Sequence, residues 1–127
     1  MQWRFNSELP IYSQLVEQIR RAIAAGEIAP GERLRSVREL SLEAGVNPNT
    51  MQRAMQQLER EGLVYAQRSS GRFVTEDDAA IRHARTALAR ELAQRYREAM
   101  QSLGFSGEEM KALLEGSGEE ENNGSLS

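Results

Sequence analysis

Asn47, Asn49, Thr50, Gln52, Arg53 and Gln56 crowd a short polar stretch of the chain. Their shared chemistry is recognition of base edges. Asn and Gln can pair with adenine through donor and acceptor together, Arg pairs with guanine, and Thr bonds a phosphate or touches a thymine methyl. Taken singly, each also fits a plainer role, with Asn47 a helix cap and Gln52, Arg53 and Gln56 a solvated face. A second group is cationic. Arg35, Arg38, Arg68 and Arg72 suit phosphate contacts, which fix register without reading sequence, and Ser70 with Gly71 offers a small tip able to approach a minor groove closely. Arg35 stands at a helix N-terminus, where the macrodipole disfavours a cation by about 0.3 to 1 kcal/mol, so an outside partner such as phosphate is suggested.

The elements that must position these groups follow from periodicity and punctuation. Pro10 to Ala25 carries Ile11, Leu15, Ile19, Ala22 and Ile23 at spacings of three and four, an amphipathic helix stopped by Gly26. Ala29-Pro30-Gly31-Glu32 reads as a turn and Arg33-Leu34 as a very short strand. Ser36-Val37-Arg38-Glu39 is a capping box, in which the Ser hydroxyl takes an orphan amide and Glu39 reaches back. The helix it opens runs to about Ala44 and is expected to bury Val37, Leu40 and Leu42. After the turn at Gly45-Val46, Asn47-Pro48 is a strong start signal, because Asn caps free amides and Pro in the first turn loses no hydrogen bond. That third helix runs to about Glu61 with Met51, Ala54, Met55 and Leu58 inward. Leu63–Gln67 and Arg72–Thr75 then read as the strands of a hairpin around Arg68–Gly71. Two short helices joined by a tight turn, the second polar on its exposed first turns, make a helix-turn-helix; the hairpin makes it winged. A major groove about 12 Å wide admits one such helix while the preceding helix crosses the backbone.

Composition excludes much else. The 127 residues include no cysteine and one histidine, His83, so disulfides, thiolate metal sites and His-rich metal centres are not expected. No cofactor or metal is expected, and no nucleophile with a matching base suggests an enzyme. No apolar run approaches the roughly 20 residues of a membrane helix, and the first residues lack a signal-peptide core, so a soluble cytoplasmic protein is expected. The net charge of −3 hides an uneven distribution. Through Thr75 ten Arg oppose eight Glu, whereas from Glu76 onward six basic residues oppose eleven acidic ones.

Gly26-Glu27-Ile28-Ala29-Pro30-Gly31-Glu32-Arg33-Leu34, Ser36-Val37-Arg38-Glu39-Leu40, Gly45-Val46-Asn47-Pro48-Asn49-Thr50, Leu58-Glu59-Arg60-Glu61-Gly62-Leu63 and Gly71-Arg72-Phe73-Val74 together resemble the DNA-binding domain of GntR-type bacterial transcription regulators, over about Leu9 to Thr75. The resemblance implies double-stranded operator DNA as partner and contacts from Arg38, Asn49, Thr50, Gln52 and Arg53. It also shows departures. The family usually has Pro where this chain has Arg35, a Gly/Lys wing where it has Ser69 and Ser70, and a small residue where it has Arg72.

Beyond Glu76 the pattern changes. Ile81, Ala84, Leu88, Leu92, Tyr96, Ala99 and Leu103 alternate at three and four, one long helix of about 26 residues, or about 39 Å. Ser106 and Glu109 form a second capping box, and Met110, Leu113 and Leu114 mark a short final helix. Such a stripe exceeds what a domain of about 70 residues can cover, so pairing with a second copy is expected, with Ile81, Ala84, Leu88, Leu92, Tyr96, Leu103, Met110, Leu113 and Leu114 at the interface. A two-helix appendage of this size resembles the YtrA subfamily, whose C-terminal helices dimerise and whose members often repress operons that include ABC transporter genes.

The expected architecture is therefore mainly α with a small β-hairpin: a winged helix-turn-helix over 1–75, a helical dimerisation region over 76–115 and a disordered acidic tail over 116–127. The expected function is a dimeric repressor on an inverted-repeat operator. Any small-molecule effector is unidentified. The alternative is a winged-helix module for RNA or a protein partner.

Overall fold

The computed structural model describes residues 1–116 with their side chains and 117–126 by backbone alone. In chain order the elements are α1 (Ile11–Ala24), α2 (Val37–Ala44), α3 (Pro48–Arg60), β1 (Val64–Gln67), β2 (Gly71–Val74), α4 (Asp78–Ser102) and α5 (Gly107–Leu126). The acidic segment expected to be disordered, 116–127, falls almost wholly outside the residues described with side chains. Two compact units divide the chain, 1–87 and 88–127.

The first unit is built on α1 and α3, which pack against each other; α2 lies against α3, and β1 against the end of α3. Leu15, Ile23, Met51, Met55 and Leu58 are at most 1% exposed and form its centre. Fully burying side chains of this size contributes roughly 1.5–3 kcal/mol each. Both caps anticipated from sequence are formed. The Ser36 hydroxyl accepts from the Glu39 amide at 3.1 Å while the Glu39 carboxylate accepts from the Ser36 amide. Asn47 Oδ1 accepts from the Asn49 amide at 2.8 Å, with Pro48 opening α3.

One expected core residue lies elsewhere. Leu42 is 76% exposed. Residues of a helix advance about 100° each, so Leu42 falls some 200° from Leu40, and on a helix this short the inner face is completed by Leu40 and Ser41 instead.

The hairpin pairs Val64 with Val74, Tyr65 with Phe73, Ala66 with Arg72 and Gln67 with Gly71. It gains a third edge from the turn before α2. Gly31 donates to Val74 O, Val74 to Glu32 O and Leu34 to Arg72 O, each at 2.9 Å, and Arg33 bridges Phe73. β2 is therefore central, held on both sides.

An N-terminal arm lies along α1. Trp3, Phe5 and Tyr12 are expected to anchor this arm on the core; the Trp3 and Phe5 rings stack on each other, with centroids 6.2 Å apart, whereas Tyr12 meets Arg53 and Gln57 of α3. Two glutamine amides also clamp it. Gln14 donates to Asn6 O at 2.8 Å and accepts from Asn6 N at 2.7 Å, and Gln18 does the same for Arg4 at 2.6 and 3.1 Å.

The apolar stripe of α4 divides in two. Ile81 and Ala84 are buried, and Arg85 Nε donates to Ala24 O at 3.1 Å, joining the first turns of α4 to the end of α1. These two side chains are thus already covered within one chain, unlike the expected free stripe. Further on, Leu88 and Tyr96 are half-buried, while Leu92 is 46% and Leu103 72% exposed. In α5 the second capping box forms between Ser106 and Glu109, Met110 is buried, and Leu113 and Leu114 are exposed.

Candidate nucleic-acid interface

The turn between α2 and α3 presents α3 because its residues meet two local demands. Gly45 closes α2 with a left-handed φ of 69°, a conformation that glycine adopts without a Cβ penalty, and its amide bonds Ser41 O. Val46 also donates to Ser41 O, at 3.0 Å, so the chain reverses and Asn47 can cap the next helix. The burial of Met51, Ala54, Met55 and Leu58 then fixes the rotation of α3. Asn49, Arg53 and Gln56 are left exposed, and Thr50 and Gln52 half-buried.

An open cleft of about 640 Å³ lies between the first turn of α2, Gln52 of α3 and the start of β2. Of the expected DNA-contacting residues, Arg35, Arg38, Gln52, Gly71 and Arg72 line it. Arg33 lines it too, a residue that sequence reasoning placed only in a short strand. The signal available was its alternation with Leu34, which is buried and so turns Arg33 outward. Glu39 is the cleft's carboxylate, and it is committed to the Ser36 cap.

The arginines differ in what already holds them. Arg35 Nη1 pairs with Glu43 at 3.2 Å, which supplies from within the chain the partner expected from outside. Arg72 pairs with Glu59 of α3 through its Nε, tying the wing to the third helix. Arg53 lies over the Tyr12 ring at 4.7 Å from the centroid, away from the cleft lining, an arrangement worth roughly 0.5–1 kcal/mol at an exposed site. Among the described residues, Arg33, Arg38 and Arg68 make no ion pair. Arg68 and Ser70 stand at the exposed hairpin turn, and Asn47, Asn49, Thr50 and Gln56 lie outside the cleft on or beside α3.

Behind this surface Arg20 and Glu61 brace the far end of α3, with two hydrogen bonds of 2.7 Å between guanidinium and carboxylate. Arg20 holds the Glu61 carboxyl below its ordinary value against the opposing effect of burial, helped by Gln57 and by the charge of Arg60. Among the described residues no group of His, Asp and Glu could hold a metal ion, and no helix is long and apolar enough to cross a membrane.

A helix-turn-helix whose second helix is fixed by its core face and followed by a docked hairpin defines a winged helix-turn-helix protein. Residues 11–74 match the model of the family described as bacterial regulatory proteins, gntR family. The chain belongs to the GntR family of DNA-binding transcriptional regulators. It is 38% identical to the HTH-type transcriptional regulator YhcF of Bacillus subtilis over 84% of this chain and 88% of that one. Similarity to the repressor YtrA of the same organism is 39% over 56% of this chain, and it spans 55% of YtrA's length. Among solved structures, a GntR family regulator from Listeria monocytogenes superposes with a TM-score of 0.81 at 35% identity, covering 87% of this chain and 97% of that one. The DNA-binding domain of AraR, in complex with operator ORE1, gives 0.51 at 34% identity over 59% of this chain and 94% of that one.

Proposed function

We propose that this regulator is a homodimeric, cytoplasmic repressor that reads an inverted-repeat operator through two copies of α3. The observation that carries the dimer is the row of open leucines past Ala87: Leu92, Leu103, Leu113 and Leu114 are 43–72% exposed in the single chain. Exposed apolar side chains gathered in this part of the chain call for a partner surface. A second copy offers the same face, and a twofold pair presents two reading helices to half-sites about 34 Å apart or a multiple of that.

In this reading Asn49, Thr50, Gln52 and Gln56 face base edges, joined by Arg53 once it leaves Tyr12, while Asn47 caps the helix. Arg38 and Arg68 meet phosphates, and Ser70 and Gly71 form the tip near the minor groove. Arg35 and Arg72 hold neighbouring elements in place through Glu43 and Glu59. Repression is steric, the dimer covering a promoter of its own operon. The likeness to YtrA supports repression, and the AraR complex supports operator DNA as the partner.

Light scattering after gel filtration at micromolar concentration tests the assembly. Twice the 14.3 kDa chain mass is expected, and a clean species at 14.3 kDa contradicts it. A-form RNA closes its major groove to side chains, so an RNA duplex should compete weakly with DNA; equal competition favours an RNA-binding module instead.

A further inference from the structure

In duplex DNA one phosphodiester strand separates the major groove from the adjoining minor groove. With α3 in the first and the wing tip at the second, that strand must pass between them. The cleft between α3, β2 and the start of α2 is the surface beneath such a path, and its charge is concentrated in Arg33, Arg35, Arg38 and Arg72. Two of these are paired within the chain, Arg35 by Glu43 and Arg72 by Glu59, which leaves Arg33 and Arg38 as the cleft arginines without an ion pair among the described residues.

Arg33 is also held in place by its backbone. It bridges Phe73 while its neighbours Glu32 and Leu34 bond Val74 and Arg72, so its Cα moves with β2. Its guanidinium lies beside Gly71, where a Cβ would come within 3.3 Å of Nε; a side chain at that position would crowd it. Glycine there leaves the guanidinium room at the root of the wing, facing the strand's path.

We infer that Arg33 is a phosphate-contacting residue of this interface, gripping the DNA strand that passes between α3 and the wing. The assignment rests on the DNA-binding geometry proposed above. It separates the cleft arginines into two pairs, since Arg33 and Arg38 neutralise phosphates while Arg35 and Arg72 position the elements that carry them.

The test is the salt dependence of binding of the full chain to a mixed-sequence 30-base-pair duplex, followed by fluorescence anisotropy. Each phosphate neutralised adds about 0.9 to the slope of log K against log salt. Arg33→Gln should reduce the slope by about 0.9 for each copy engaged, and Arg33→Lys should retain it. Arg72→Gln should leave the slope unchanged, weakening binding by a similar factor at every salt concentration. An unchanged slope in Arg33→Gln, with wild-type binding still salt-dependent, overturns the assignment and makes Arg33 a structural support for the wing. No salt-dependent binding by the wild-type chain overturns the DNA geometry itself, and the assignment with it.

Discussion

The two compact units use the same residue types to opposite effect. Within residues 1–87, Leu15, Met51 and Leu58 are wholly buried, and the helices they belong to cover one another. Beyond Ala87, Leu103 is 72% and Leu114 59% exposed, and Met110 is the buried apolar residue among those described. The difference teaches that amphipathic periodicity has two outlets. A helix can spend its apolar face on its own domain, as α3 does, or leave it open to solvent in the single chain, as the far part of α4 does at Leu92 and Leu103. Ile81 and Ala84 mark the changeover, since one helix carries both behaviours along a single stripe.

Substitutions can break this contrast in a definite order. Leu58→Ala, in the closed unit, should cost about 2–5 kcal/mol because a cavity is added to the lost transfer energy; a shift of the urea midpoint measures it. The double change Leu103→Glu and Leu114→Glu, in the open unit, should move that midpoint little in the isolated chain yet halve the mass seen by light scattering. If it instead destabilises the chain as much as Leu58→Ala, the leucines belong to an internal core and the contrast fails.

Arg53→Ala sharpens the picture within the first unit. Losing a guanine contact should relax discrimination at one base position by about 1–3 kcal/mol, read by competition between matched and mismatched duplexes. Unaltered discrimination would leave Arg53 as a partner of Tyr12 alone. The smallest expected effect is at the brace behind α3. Glu61→Gln should lower stability by about 1 kcal/mol at neutral pH, since it removes a partly buried charge-assisted pair. The folded-state carboxyl ionises below its ordinary value. Its stabilisation is therefore present above the ordinary carboxylate value and is lost as pH falls below it through the lowered folded-state value. Denaturation curves of wild type and variant should converge in acid, and a constant gap at all pH values would contradict the pairing.

What could be read from sequence was set by short-range physics. The Ser36/Glu39 box, the Asn47-Pro48 start and the inward face of α3 each depend on residues within a few positions, and each formed as expected. Leu42 was misplaced because α2 has only eight residues, too few for a period to fix its inner face. The harder features are contacts across the chain. Arg53 meets Tyr12 on α1, Arg72 meets Glu59 thirteen residues back, and Arg33 reaches the root of the wing only because the strand before α2 pairs with β2. Sequence reasoning could list the arginines, but only the fold separates those already paired from those left open. Gln14 and Gln18 were silent for the same reason, as their partners are backbone groups of the arm.

The central claim is that one unit reads DNA while the other brings two readers together. Selection of bound duplexes from a random pool by the full chain tests both halves at once. An enriched inverted repeat is expected, its half-sites centred about 34 Å apart, near one helical turn, or a multiple of that. Enrichment of a single half-site, or no enrichment over the starting pool, would contradict it.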